Sequence, residues 1–253
     1  MTVTITVAGK GGVGKTAISA ILVDFLANKG AVLAVDADPS SNLNDALGVD
    51  VQSTVGKTRE RMKDGIKDGR LRMDVSKQEV LDARIHESLV ETGRFDLLAM
   101  GHPEGTGCYC AANHMIRFSI DKLAKSYDYV IMDCEAGLEH ISRQTTQDID
   151  YLLAVTDPTM RGLNTCIRLQ QLSKDLQTNI KGGVLLVVNR LRNGLPTEFK
   201  EAVDKSGLLL FATIPEDPHI SDLDVKGKPL TSLPLDSSFR RAVQEILYRL
   251  KVR

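Results

Sequence analysis

The chain has no excess of charge of either sign: 32 lysines and arginines stand against 33 aspartates and glutamates, a formal net charge of −1 over 253 residues. That balance excludes a general electrostatic attraction to nucleic acid or to anionic lipid and leaves only local basic patches to consider. Long apolar runs are missing too. No stretch approaches the roughly 20 residues needed to cross a bilayer, and no basic segment with a small-residue cleavage site precedes the first apolar run. A cytoplasmic protein with no nucleic-acid and no membrane partner is the expectation. Cysteine is scarce, with four residues at 108, 110, 134 and 166. In a reducing compartment these read as thiols or metal ligands rather than as a disulfide framework. Internal repeats, low-complexity tracts and linkers are absent, so the whole of 1–253 is expected to form one domain around a large core.

What the chain does have is the stretch Gly9-Lys10-Gly11-Gly12-Val13-Gly14-Lys15-Thr16, set between an apolar run, Val3 to Ala8, and an amphipathic segment, Thr16 to Lys29. It reads as a phosphate-binding loop. The glycines let successive backbone N–H groups turn inward around a phosphate, Lys15 reaches the β and γ oxygens, and the Thr16 hydroxyl ligates Mg²⁺. The N-terminus of the following helix, beginning near Ala17, adds its positive end. At average glycine usage of about 7%, the pattern arises by accident in roughly one chain of this length in a hundred. The strand before it and the helix after it lower that further.

The remaining chain alternates buried strands with helices. Val32 to Val35, Phe95 to Met100, Tyr129 to Asp133, Tyr151 to Thr156, Gly183 to Asn189 and Leu208 to Ile214 are continuous apolar runs of the kind found in parallel strands buried on both faces. Helical periodicity occupies Met115 to Lys125, about Thr159 to Gln177, Thr197 to Lys205 and Ser237 to Lys251. The polar stretch Asp50 to Arg94 reads as exposed helices whose charge runs are solvated faces. Right-handed parallel crossovers then give an α/β fold, a doubly wound and mostly parallel sheet of about seven or eight strands flanked by helices. The loops after these strands share one edge, so Asp36 and Asp38, the Cys108 loop and Asp133 are expected beside the phosphate loop.

Lys10, a second lysine just after the first glycine, narrows the family. The pattern resembles the deviant Walker A loop of the P-loop ATPases that include nitrogenase iron protein, the partition and septum-site ATPases, and metallocentre-assembly ATPases. The resemblance covers almost the whole chain. It implies an ATPase, with ATP and Mg²⁺ as cofactors and a homodimer in which Lys10 contacts the nucleotide of the other subunit. By the same resemblance Lys10, Lys15 and Asp38 are catalytic, with Asp38 as the switch I acid that orients the attacking water. Phosphoryl transfer needs such positioning because its catalysis is mostly placement and charge neutralisation. Thr16, Asp36 and Asp133 serve Mg²⁺, Asp133 as the Walker B acid, and Glu135 and Gly137 belong to switch II. Asn189, with neighbouring Arg190, matches the adenine-reading asparagine, whose amide can donate and accept. Pro215 and Asp217 match the loop that closes over the base. No N-K-x-D guanine motif is present, which favours ATP over GTP.

Cys108 and Cys110 separate the branches. As thiolates they are soft ligands for Zn²⁺, Ni²⁺, Cu⁺ or Fe–S chemistry, but one Cys-x-Cys offers only two ligands. A homodimer would complete a four-sulfur site on its two-fold axis, tetrahedral for zinc or square-planar for nickel. The stretch Gly107-Cys108-Tyr109-Cys110 is similar to the metal-binding motif of the nickel-inserting accessory ATPases of carbon monoxide dehydrogenase and of their relatives that mature acetyl-CoA synthase. That resemblance implies Ni²⁺ or Zn²⁺ shared across the dimer and a client nickel enzyme. Cys134 and Cys166 read as core residues, and His102 and His114 as solvent-facing or satisfied histidines. Two other functions compete: a partition or septum-site type ATPase that binds DNA or membrane through the basic amphipathic segment Phe239 to Leu250, and an Fe–S electron-transfer ATPase.

Overall fold

The structure, a computed structural model, describes residues 2–38, 42–58, 77–101, 110–134, 148–176 and 178–252, with the side chains at 77, 110–115 and 148 left undescribed. Glu135, Gly137, His102 and Cys108 therefore lie outside the described residues. Cys110 and His114 are placed by their backbone alone.

In chain order the elements are β1 (Val3–Gly9), α1 (Lys15–Leu26), β2 (Val32–Asp36), α2 (Leu43–Leu47), α3 (Lys77–Glu87), β3 (Leu89–Glu91), β4 (Asp96–Ala99), α4 (Cys110–Ala124) and β5 (Tyr129–Asp133). They continue with β6 (Asp148–Ile149), β7 (Tyr151–Thr156), α5 (Met160–Asp175), β8 (Asn179–Ile180), β9 (Val184–Leu191), α6 (Thr197–Ser206), β10 (Leu209–Pro215) and α7 (Pro218–Val225). A 3-10 turn at Leu230–Ser232 and α8 (Ser238–Arg249) complete the chain. Eight strands form one sheet in the order β10-β9-β7-β1-β5-β2-β4-β3, and every pairing in it is parallel except β3 with β4. This is the doubly wound, mostly parallel sheet that the apolar runs called for.

The two faces are covered by different helices. One carries Ile5, Val7, Ala34, Ile131, Leu153 and Val187 against α1, α2 and α8. The alternate residues of the same strands, Leu33, Val35, Val130, Met132 and Leu152, pack on the other face with Leu81 and Ile85 of α3 and Ile116 and Ile120 of α4. Leu163 and Cys166 of α5 and Phe199 and Val203 of α6 extend that layer over β7 and β9. Period-2 alternation with both faces apolar is what a sheet buried on both sides requires.

Two readings of the polar stretch need correction. Leu81 and Ile85 are 4% and 1% exposed, so α3 is a core helix with one wet face rather than an exposed one. The chain then adds β3, an antiparallel edge strand whose Leu89–Glu91 pairs back on Asp96–Leu98. Three residues are too short a run to show a period. α7, the 3-10 turn and the small parallel pair of β6 with β8 were likewise not foreseen.

β1 lies at the centre, with β5, β2, β4 and β3 on one side and β7, β9 and β10 on the other. The chain leaves β1 toward β2 and later crosses to β7. The carboxyl end of β1 is thus a topological switch point, where open α/β sheets form a ligand crevice.

Candidate nucleotide site

The loop after β1 is shaped by two close approaches that only glycine allows. Gly9 has φ +152°, and a Cβ there would sit 2.0 Å from the Val155 carbonyl oxygen of β7. Gly14, at φ +92°, caps α1, and a Cβ on it would fall 2.5 Å from Nδ2 of Asn189. Asn189 is buried, 3% exposed, and its amide nitrogen donates to the Val13 carbonyl at 2.8 Å. Its Oδ1 accepts from Arg190 N at 2.8 Å. One donor and one acceptor position of the amide are used inside the protein, so Asn189 braces the underside of the loop. Arg190 follows with φ +60°, a conformation that non-glycine residues seldom adopt and that concentrates at ligand sites.

Lys15 is 7% exposed, and its Nζ reaches across the loop to the Lys10 carbonyl at 3.3 Å. It stands where an anion held by the loop would find it. Lys10 points the other way, 3.9 Å from Oδ2 of Asp157, with 40% of its side chain exposed.

The adjacent strand ends supply acids. The register of β2 with β5 sets Asp36 opposite Asp133. Asp133 accepts from the Thr16 hydroxyl at 2.6 Å and from Ser19 Oγ at 3.2 Å. Asp36 accepts from the backbone N–H groups of Asp38 at 3.1 Å and Leu43 at 3.0 Å, which fixes the start of the segment after β2. Both carboxylates are buried. Burial pushes Asp36 up to about 7, helped by the neighbouring Asp133. Burial likewise pushes Asp133 up to about 6, against the hydrogen bond from Thr16 and the Lys15 charge. Two buried carboxylates on adjacent strand ends, beside the Thr16 hydroxyl, form an all-oxygen donor set that suits a hard divalent cation such as Mg²⁺.

A cavity of about 790 Å³ opens beside the loop, within the range of small-molecule sites. The structure brings Gly11, Gly12, Gly14, Lys15, Thr16, Ala17, Asp38 and Arg190 to its wall. Asn42, Asp45, Ile220, Asp224, Lys228 and Pro229 line the far side, and the sequence reading missed them. Their one signal was charge beside Gly48 and Gly227, which is weak. Ser19, a polar residue on the apolar stripe of α1, was a clearer signal.

Pro215 and Asp217, read as part of a loop that closes over the base, are not in the wall of this cavity, but Glu216 between them lines a second cavity of about 480 Å³ that shares Arg190 with the first. Asp217 is 6% exposed and caps α7 by accepting from His219 N at 3.0 Å. It also accepts from Ser237 Oγ, Ser238 Oγ and Phe239 N at the start of α8. Burial alone would push its carboxyl up, but the hydrogen bonds from Ser237, Phe239 and His219 outweigh that and hold it well below the usual range. Asp217 joins two helix starts.

Cys134 and Cys166 are fully buried, and burial raises both thiols, Cys166 to about 12. They are core residues, as read. Among the described residues no group of three or more His, Cys, Asp and Glu side chains is placed to hold a metal. Cys110 begins α4, so the backbone puts the end of the Cys-x-Cys on the crossover from β4 to β5, two strands that flank β2. No helix of the described residues is long and apolar enough to cross a membrane. The apolar stripe of α8 is occupied: Phe239, Val243, Ile246 and Leu247 are at most 3% exposed and pack in the core with α1.

Comparison with known proteins agrees with this geometry. The family described as AAA domain (AAA_31) matches residues 1–184. An uncharacterized ATP-binding protein of Methanocaldococcus jannaschii is 42% identical over 251 residues, 97% of each chain. The carbon monoxide dehydrogenase accessory protein CooC of Rhodospirillum rubrum is 32% identical over 241 residues, covering 88% of this chain and 87% of that one. Among solved structures, the septum site-determining protein MinD of Pyrococcus horikoshii, complexed with Mg-ADP, superposes with a TM-score of 0.70 at 22% identity. That match covers 100% of this chain and 97% of the other.

Proposed function

We propose, for a chain that belongs to the AAA domain family of P-loop ATPases, that it is an ATP-dependent metallochaperone. Its cargo in this reading is Ni²⁺, with Zn²⁺ as the competing ion, held by Cys108 and Cys110 of two subunits. Its client is a nickel enzyme, carbon monoxide dehydrogenase or acetyl-CoA synthase. The observation that carries the reading is the 32% identity to the carbon monoxide dehydrogenase accessory protein over nearly the full length of both chains, in a chain that itself holds Cys108-Tyr109-Cys110.

In this reading the chain forms one nucleotide-binding domain over 1–253. The backbone N–H groups from Gly9 to Ala17 and the Lys15 ammonium cradle the phosphates; what supports this is that Gly11, Gly12, Gly14, Thr16 and Ala17 line one cavity and Lys15 is drawn across the loop. Mg²⁺, held near Thr16, Asp36 and Asp133, neutralises charge on the phosphate oxygens when bound. Asp38 follows a strand end fixed by Asp36, and it orients the attacking water. Asn189 holds the loop from below, with Arg190 at the base side of the cavity. Lys10 leaves Asp157 to reach the nucleotide of the second subunit, and Glu135 and Gly137 carry the change to the cysteines.

Metal analysis of the purified chain tests this. With hydrolysis blocked by Asp38→Ala and ATP present, the reading expects a dimer with one Ni²⁺ or Zn²⁺ per two chains. Cys108→Ser with Cys110→Ser should abolish the metal and leave ATP binding intact. Unchanged metal content in that double variant would refute the site. ATP-dependent sedimentation with plasmid DNA or vesicles, without metal binding, would instead favour a positioning ATPase.

A further inference from the structure

At the pole opposite the phosphate loop, the C-terminal turns of α1 and α8 meet in a groove of about 590 Å³. Its apolar residues are Phe25, Leu247, Val252 and Tyr248. Leu247 and Val252 are 3% and 7% exposed and form a recessed floor, while Tyr248 stands out at 79%. The lining also includes Lys29, Arg249 and Lys251 and, among the described residues, no carboxylate. Lys29 Nζ donates to the Val252 carbonyl at 3.2 Å. Arg249 lies 4.6 Å from the Phe211 ring centroid and donates to the carbonyl of that residue. Both acceptors are uncharged, and neither cation forms an ion pair among the described residues. Lys251 forms no ion pair among the described residues.

The backbone at Lys251 is a second, independent observation. Lys251 N donates to the Tyr248 carbonyl at 3.0 Å and Val252 N to that of Leu247 at 3.4 Å, the paired bonds of a Schellman helix end. The residue between must be left-handed, and Lys251 has φ +54°. The corresponding turns after α2 and α7 use Gly48 at φ +74° and Gly227 at φ +58°. A lysine at this turn is conformationally costly compared with glycine, and what it adds is an ammonium at the mouth of a cationic groove.

We propose that this groove docks an acidic segment of a partner protein, with an apolar or aromatic side chain entering the floor and flanking carboxylates meeting Lys29, Arg249 and Lys251. Charge complementarity selects the sign, and the recess selects a peptide over a bilayer. Membrane-binding patches use several projecting apolar side chains or clusters of about four to eight cations; here Tyr248 alone projects, Leu247 and Val252 are recessed, and the cations among the described lining residues are three. The inference is independent of the metal reading, since no residue of the groove belongs to the nucleotide site.

Fluorescence anisotropy of the full chain with a labelled Glu-Glu-Phe-Glu-Asp peptide tests it. Saturable binding is expected that weakens with added salt, and the peptide with lysines in place of its acids should not bind. Lys251→Glu should weaken binding about tenfold. Lys251→Gly should weaken it severalfold while leaving the melting temperature equal or higher, which separates loss of the side chain from loss of the fold. ATPase rates should stay at the parental value in both variants. No binding of the acidic peptide, or binding indifferent to both substitutions, would overturn the proposal. So would co-sedimentation with phosphatidylserine vesicles or plasmid DNA that is lost in Lys251→Glu while the peptide fails to bind.

Discussion

Asp24 is a buried carboxylate in the last turn of α1, and its removal should strongly destabilise the fold. Its side chain is 6% exposed and receives Arg240 Nη2 of α8 at 2.6 Å and Arg94 Nη1 at 2.9 Å. Arg240 is itself enclosed, 11% exposed at the side chain, stacked 4.7 Å from the Phe25 ring centroid and with Nη1 lacking a hydrogen-bond partner among the described residues. Asp24→Ala therefore leaves a buried guanidinium with no anion, a defect that costs about 3–5 kcal/mol. Arg94, 49% exposed, can turn to water and adds at most about 1 kcal/mol. At roughly 2–4 °C per kcal/mol for a chain of this size, calorimetry should record a melting temperature lower by about 6–20 °C. Replacing both partners, Asp24→Leu with Arg240→Met, should recover most of the loss, because apolar side chains of similar volume need no counter-charge. The reasoning is refuted if Asp24→Ala lowers the melting temperature by less than about 2 °C, or if the double variant is no more stable than the single one.

Three further outcomes can be checked. Gly9→Ala forces a methyl group onto the Val155 carbonyl and should give insoluble or nucleotide-incompetent protein, seen as loss of ATP binding by calorimetric titration. Asn189→Ala removes the bond to the Val13 carbonyl and should weaken ATP binding about tenfold, because the orphaned buried acceptor costs about 1–3 kcal/mol; an unchanged Kd would deny the bracing role. Asp36 and Asp133, raised from 3.8 to about 7 and about 6, bind more protons in the folded chain than in the unfolded one. Their contribution is thus fully present below about pH 4 and is lost as the pH rises through about 6 to 7, so nucleotide-free protein should melt lower at pH 8 than at pH 5. Asp36→Asn should flatten that slope, and a parent whose melting temperature rises with pH over this range would contradict it.

Much of the site was legible because its chemistry is local. Gly9 to Thr16 carries its glycines, lysine and threonine within eight residues, and Asp36, Asp38 and Asp133 sit at the ends of apolar runs whose length announces a buried strand. The far wall of the cavity was not legible, since Asp45 and Lys228 reach it from segments far apart in sequence. A proline and an acid after a strand serve a base-binding loop or a helix cap equally well, and only the structure shows that Asp217 accepts hydrogen bonds at the starts of α7 and α8.

By itself the sequence determined the alternation of strands and helices, the phosphate loop and the parallel class of the sheet, all of which depend on neighbours within about a dozen residues. It also placed Cys134 and Cys166 in the core. The strand order, the antiparallel edge at β3, the burial of α3 and the Asp24–Arg240 pair were decided only by tertiary structure. Each depends on which distant surfaces meet, and a charged residue looks the same in sequence whether its partner lies in solvent or 216 residues away.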